Sequence, residues 1–322
     1  MYTVPAVSTR AIKPADGAAP YVGRFAPSPT GPLHLGSLLA ALGSYLDARH
    51  HGGRWLLRIE DIDPPREQPG AADAILHTLD VYGFEWDGEV LWQSRRHDAY
   101  QEAIDRLRRN GTAYPCGCTR SEIAAAARIG SEGPVYPGTC RDGLPPGKHA
   151  RAIRVRTLDE PVAFDDRLQG YQTQSLARDI GDFVIRRADG LIAYQLAVVV
   201  DDAHQGITDV VRGADLLDST PRQIHLQHLF ELPTPRYLHL PLAVDPRGDK
   251  LSKQTHAPAL PDDRPVPHLV QALRLLGLDP PAGLERSNLA ECWAWALTHW
   301  QPDHLPRQRM VRSEFHQHRY DS

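Results

Sequence analysis

At 322 residues, with 41% hydrophobic and 24% charged side chains, the chain has the length and composition of a globular protein able to bury a substantial core. A formal net charge of −4 excludes a global basic field, so any nucleic-acid contact has to come from local patches. No stretch approaches membrane-spanning length. Met1–Ala19 lacks the apolar core of a secretory signal, which predicts a cytosolic protein with a disordered N-terminal extension.

Tyr21–Ala26 has strand character and runs into a Pro/Gly-rich turn, Pro27–Pro32. A helix follows from about Leu33, with Leu35, Leu38, Leu39, Leu42 and Leu46 at helical spacing. Trp55–Ile59 is a second strand, ended by Glu60-Asp61-Ile62-Asp63 and Pro64-Pro65. Ile75, Leu79 and Tyr82 mark one helix; Tyr100, Ile104 and Leu107 mark another, stopped at Asn110-Gly111.

From Thr112 to about Gln169 the segments shorten and Gly, Pro and Cys become frequent, as in an insertion between the halves of a sheet. Thr119 and Glu122 form a capping box that opens a short helix toward Arg128, and Ala152–Val155 alternates as a strand. Asp182–Arg186, Leu191–Val200 and Ile207–Arg212 restore the α/β rhythm, the apolar Leu191–Val200 being read as a buried strand. Thr220 as N-cap, Pro221 in the first turn and Gln223 as capping-box partner open a helix. Tyr237–Leu242 is a further strand, Asp245–Thr255 a polar loop, and Leu269–Leu276 and Leu289–Leu297 are helical. Alternation of strand and helix, split by an insertion and followed by a helical tail, predicts an α/β fold with a doubly wound parallel sheet. The corresponding division is 1–19 as extension, 20–111 and 171–245 as the two halves of the sheet domain, 112–170 as insertion, and 246–322 as loop and tail.

Three stretches carry chemistry. In Arg24-Phe25-Ala26-Pro27-Ser28-Pro29-Thr30-Gly31-Pro32-Leu33-His34-Leu35-Gly36-Ser37 a strand ends, the chain turns tightly and a helix begins, and the unpaired N–H groups there make an anion site. His34, placed in the first helical turn, can donate to a phosphate oxygen; taken alone it reads first as a capping or structural histidine. Gly36 leaves room for a flat base. A helix N-terminus stabilises an anion by only about 0.3–1 kcal/mol, up to roughly 2 when partly buried, so further donors are required. Lys250-Leu251-Ser252-Lys253-Gln254 offers two ammonium groups on a loop, suited to a triphosphate. Cys116, Cys118 and Cys140 cluster in the insertion, which points to metal rather than redox chemistry, with Tyr136 or His149 as the fourth ligand. Cys292 shares a helix face with Leu289 and Ala296 and reads as a core residue.

The first stretch resembles the HIGH region of class I aminoacyl-tRNA synthetases, in the Arg-Phe-Ala-Pro-Ser-Pro-Thr-Gly form of glutamyl enzymes, and Lys250–Gln254 resembles their KMSKS loop. The resemblance covers roughly Tyr21–Lys253 and implies a Rossmann-like core that uses ATP with Mg2+. It implies phosphate contacts and catalysis by His34, Lys250 and Lys253, and ATP contacts by Gly36 and Ser37. It also implies glutamate binding by Arg24, Phe25, Ala26, Pro27, Ser28, Glu60, Tyr194 and Arg212. Paired arginines suit carboxylates and one acid suits the substrate ammonium; Tyr194 and Arg212 are placed on the two later strands, and Arg212 argues against glutamine. After Gln254 only 68 residues remain (322 − 254), short of the anticodon-binding region of a full glutamyl enzyme. The similarity therefore points to the glutamyl-Q tRNA(Asp) synthetase family, which transfers glutamate to the queuosine base of tRNA(Asp). In that family Cys116, Cys118, Tyr136 and Cys140 are implied to bind one structural Zn2+. Two alternatives stand beside this: a shortened glutamyl-tRNA synthetase that charges tRNA(Glu), and a non-catalytic glutamate or adenylate sensor. A monomer is the default for this architecture.

Overall fold

The computed structural model describes residues 20–245, 247–248, 251 and 258–313. The N-terminal extension, Lys250, Lys253 and Arg319 therefore lie outside the described residues.

The chain opens with β1 (Val22–Phe25), α1 (Leu35–His50), β2 (Arg54–Ile59), α2 (Ala71–Val81), β3 (Leu91–Trp92) and α3 (His97–Arg109). The middle holds β4 (Ala113–Cys116), α4 (Arg120–Ala126), β5 (Ile129–Gly130), β6 (Gly133–Pro134), β7 (Ala152–Val155), β8 (Val162–Asp166), β9 (Gly170–Gln174), α5 (Leu176–Asp179) and β10 (Val184–Arg186). Then come α6 (Tyr194–Gln205), β11 (Asp209–Gly213), α7 (Thr220–Leu229), β12 (Arg236–Leu240), β13 (Leu242–Val244), α8 (Pro265–Leu275), α9 (Leu289–His299) and β14 (Met310–Arg312).

The parallel strands form two runs, β3–β2–β1 and β11–β12, with β8 joining β12 in parallel and β9 closing an antiparallel hairpin. Thr208 N–H donates to Val22 O at 2.9 Å, which ties the start of β11 to β1. Sequence order thus reverses between β1 and β11, the kind of crevice where open α/β sheets bind ligands. Both faces are covered, which is why these strands read as near-continuous apolar runs. Leu57, Ile59, Val211, Leu238 and Leu240 pack on the side of α1, whereas Val22, Leu56, Val210 and Tyr237 meet Ile224 of α7.

Four sequence readings change. Leu191–Val200 is not a strand: Tyr194–Gln205 is a helix, closed by Gly206 at φ 66°. An apolar run of that length does not distinguish a buried strand from a buried helix, and the polar continuation to Gln205 extends it to helical length. Thr220 does not cap α7. The helix continues directly from a 3-10 turn over Ala214–Ser219, Ser219 at its start is itself helical, and Thr220 Oγ1 serves Arg212 instead. Pro241 divides the expected Tyr237–Leu242 strand into β12 and β13. The tail is not purely helical: β14 pairs in parallel with β13, with Leu242 N–H donating to Arg309 O at 2.9 Å.

The capping box of Thr119 and Glu122 is present on α4, and Gly111 at φ 72° follows the end of α3. Cys292 and Ala296 are buried on α9. That helix completes the main core: Trp293 packs edge-on against Tyr45 and Phe84, and its indole N–H donates to Tyr82 O at 3.0 Å. β4 and β7 of the insertion form a separate antiparallel sheet with β10, which lies beyond the expected end of the insertion, in the order β10–β7–β4, while β8 and β9 join the sheet of β11 and β12. No helix among the described residues is long and apolar enough to cross a membrane.

Candidate active site

The carboxyl ends of β1, β2 and β11 converge with the start of α6, and four residues singled out from the sequence meet there. Arg24 and Glu60 leave β1 and β2, Arg212 lies on β11, and Tyr194 opens α6 rather than sitting on a strand. Tyr194 is within electrostatic reach of Arg212, Glu60 and Arg24, and burial pushes its phenol above the ordinary value. Phe25 stacks on Trp55 in the core, so residue 25 can face a substrate only through its backbone. Pro27 O accepts from Glu60 N–H at 3.0 Å, which locks the turn after β1 onto the end of β2.

Two buried networks, neither anticipated from the sequence, hold these groups. In the first, Asp202 of α6 accepts from Arg24 (Nε 3.1 Å, Nη2 3.3 Å) and from Arg58 Nη1 at 2.8 Å, while Arg58 Nη2 reaches Glu60 at 3.4 Å. Burial alone would raise the Asp202 carboxyl, but the two guanidiniums outweigh it and hold it low. Burial does win at Glu60, whose carboxyl sits above its ordinary value despite Arg58 and Arg24. A substrate ammonium supplies the added positive charge that would restore its ionised form.

In the second network Arg212 Nε donates to His239 Nε2 at 3.0 Å, and Asp166 Oδ2 lies 2.6 Å from His239 Nδ1. Since Nε2 accepts, the His239 proton sits on Nδ1 and points at Asp166. Arg212 Nη1 and Nη2 donate to Tyr194 Oη at 3.3 Å and Thr220 Oγ1 at 2.9 Å. His239 is buried, which drives its imidazole down to about 4 against the pull of Asp166, so it is neutral at physiological pH. A signal for these residues exists in the sequence: Arg58 and His239 each interrupt an apolar strand, and Asp202 ends an apolar helix face. A charge on an otherwise buried face is stable only when paired.

The phosphate stretch differs from expectation in two details. His34 is the N-cap of α1, not part of its first turn: its φ of −129° and ψ of 174° are extended. Its Nδ1 accepts from Ser37 N–H at 3.3 Å, and Ser37 Oγ accepts from His34 N–H at 3.4 Å. The capping and phosphate readings are therefore compatible, because acceptance at Nδ1 places the proton on Nε2 as a donor. The space beside Gly36 is also occupied: a Cβ there would meet Leu251 O at 2.7 Å. Leu251 N–H donates to Ala243 O, and beyond the undescribed segment Leu260 N–H donates to Leu33 O, both at 2.9 Å. Leu251 thus lies against Gly36 and Leu260 is tied to Leu33, whereas Lys250 and residues 252–257 lie outside the described residues.

In the insertion, the thiols of Cys116, Cys118 and Cys140 all lie within 4.8 Å of one another. Tyr136 Oη is 3.4 Å from Cys116 Sγ and 3.8 Å from Cys118 Sγ, while His149 is exposed and outside the group. Arg154 donates to Cys116 Sγ at 3.4 Å and lies 3.8 Å over the Tyr136 ring, a cation placed where thiolates would accumulate charge.

Residues 21–295 match the family model of tRNA synthetases class I (E and Q), catalytic domain. A glutamyl-Q tRNA(Asp) synthetase of Aromatoleum aromaticum is 59% identical over 295 residues, 91% of this chain and 93% of that protein. Another, of Dechloromonas aromatica, is 60% identical over 91% of this chain and 98% of its own length. Among solved structures, the glutamate-tRNA synthetase of Elizabethkingia anophelis superposes with a TM-score of 0.76 at 25% identity, over 91% of this chain and 68% of that one.

Proposed function

Given that this chain belongs to the glutamyl-Q tRNA(Asp) synthetase family, with the catalytic fold of the class I tRNA synthetases, we propose a residue-level account of its reaction. The enzyme joins L-glutamate to AMP at the expense of ATP, without RNA, and then transfers the glutamyl group to queuosine in tRNA(Asp). In the first step a glutamate carboxylate oxygen attacks the α-phosphorus of magnesium-bound ATP, and pyrophosphate leaves. In the second, a hydroxyl of the queuosine cyclopentenediol attacks the acyl carbon, an ester forms, its proton is lost, and AMP departs.

Arg24 and Arg212 take the two substrate carboxylates and Glu60 takes the ammonium, with Tyr194 beside Arg212 and the backbone of Phe25–Ser28 closing the near wall. The observation that carries this reading is the convergence of Arg24, Glu60, Tyr194 and Arg212 at the strand-order reversal, on charges already fixed by Asp202 and His239. Preorganised charges require little reorganisation as the reaction proceeds. The N-terminus of α1, with Ser37, Gly36 and the Nε2 proton of His34, takes ATP phosphate oxygens. Lys250 and Lys253 stabilise the leaving pyrophosphate.

Cys116, Cys118, Cys140 and Tyr136 hold one zinc ion. Three soft donors plus a phenol oxygen at the same point suit a tetrahedral structural site, and its contribution is to staple the insertion. The division of the chain into 20–111, 112–170, 171–245 and 246–322 stays a proposal, and the strand pairings cross its 170/171 boundary, β10 joining β7 and β8 joining β12.

The test uses the purified protein, ATP, magnesium and labelled glutamate, with tRNA(Asp) made with and without queuosine. Acid-precipitable label is expected with the queuosine form alone. Label on tRNA(Glu) would replace this reading with a conventional charging enzyme, and label on neither would remove the transfer step.

A further inference from the structure

The glutamate pocket leaves one neighbouring concavity unexplained. Between the start of α3 and the β7–β10 edge lies an open cavity of about 410 Å³, lined by His97, Asp98, Gln101, Arg151, Arg186 and Ile192 among others. Two guanidiniums line it. Neither Arg151 nor Arg186 makes an ion pair or hydrogen bond through its side chain with any described residue. The adjacent Arg187 is committed to Asp63 at 3.3 Å and Asp189 at 2.7 Å, and Arg96 to Asp201 at 2.6 Å. Arg186 is half-buried on β10, where an arginine without an anion is costly to keep unless a ligand supplies one.

The cavity adjoins the reaction centre on two sides. Ile192 on its wall precedes Tyr194 by two residues, and Ala193 N–H donates to Ile185 O at 3.0 Å, which fixes the segment between them. On the other side Ser94, just before α3, donates to Asp61 through N–H at 2.9 Å and Oγ at 2.6 Å, and Asp61 follows Glu60. Its location and width suit a macromolecule that must bring a hydroxyl to the acyl carbon, and ATP has its own site at α1.

We propose that this cleft binds the sugar-phosphate backbone of the acceptor RNA loop, with Arg151 and Arg186 on phosphodiester oxygens and His97 and Gln101 as further hydrogen-bond partners. This rests on the transfer reaction assigned above. Guanidinium forks match phosphate geometry, and a loop with splayed bases presents its backbone on the outside. Asp98 is the exception in the lining, a carboxylate that opposes a phosphate, and it makes a signed control.

The experiment compares wild type with Arg151→Gln, Arg186→Gln and Asp98→Asn. Glutamate-dependent ATP–pyrophosphate exchange without RNA is measured beside transfer to queuosine-bearing tRNA(Asp) over a salt series. Exchange is expected to be unchanged in all three. Each arginine variant should raise the transfer KM and flatten the slope of log(kcat/KM) against log[salt] by about 0.7, the value for one single-strand phosphate contact. Asp98→Asn should lower KM. Unaltered KM and slope in both arginine variants would overturn the cleft assignment. If Arg186→Gln loses exchange as well, its role is in the fold, and the exposed Arg151 decides the proposal alone. Failure of wild type to transfer would instead strike the underlying function and leave its exchange activity to be explained.

Discussion

Arg212 is held through all three of its nitrogens before any substrate arrives: Nε on His239, Nη1 on Tyr194, Nη2 on Thr220. His239→Leu removes the acceptor of Nε and the donor to Asp166 together, at about 1–3 kcal/mol for each buried group left unpaired. The expected result is a lower urea midpoint and a raised glutamate KM in pyrophosphate exchange, with ATP KM unaltered. The same residue sets a pH dependence. Burial drives His239 from an ordinary value of 6.5 to about 4 in the folded chain. Between those values the unfolded chain binds a proton that the folded chain refuses, so stability falls as pH drops through this interval. Glutamate affinity should hold through most of this interval and fall only as pH approaches about 4, where the folded His239 takes a proton and Nε2 no longer accepts from Arg212. Urea titrations and exchange kinetics across the interval check both, and in His239→Leu this component of the stability slope should vanish.

At the scale of elements, α1 and the strap around Leu251 depend on the missing side chain of Gly36. Gly36→Ala suits the helix better by roughly 0.8–1 kcal/mol, yet its Cβ would stand 2.7 Å from Leu251 O. A backbone carbonyl cannot rotate aside as a side-chain tip can, so the strap has to shift. The variant should melt no lower than wild type while its ATP KM rises, a split that thermal melts and exchange kinetics separate. The zinc proposed for the insertion would act in a different way. The cysteine cluster there is a small core of Tyr114, Cys116, Tyr136 and Cys140. Purified protein should carry one zinc per chain by elemental analysis. Cys118→Ser, or a strong chelator, should release it and expose the insertion to protease while the α1–α9 core stays folded.

For the molecule as a whole, the tail braces the site from a distance. β14 pairs with β13, and Ser313 N–H donates to Val244 O at 2.8 Å, just where the chain departs for the lysine loop. Deleting residues 309–322 removes that support but spares α8, α9 and the buried Leu305. The truncated enzyme should keep its helical circular dichroism and lose most of its pyrophosphate exchange. Retention of full exchange would mean the lysine loop holds its position without β14.

Resemblance to glutamyl enzymes singled out Arg24, Glu60, Tyr194 and Arg212, whereas the sequence by itself determined the α/β alternation, the phosphate turn before α1 and the cysteine cluster. These are local: periodicity, turn residues and motif spacing carry them. It left the Leu191–Val200 segment as a strand, because an apolar run buried on all sides has no period that separates strand from helix. Only the tertiary structure decided that Tyr194 opens α6, that Asp202 from that helix neutralises arginines on β1 and β2, and that His34 caps α1 while His239 orients Arg212. Those pairings join residues as much as 178 positions apart, as Arg24 and Asp202 are, and a buried charge finds its partner through packing rather than along the chain.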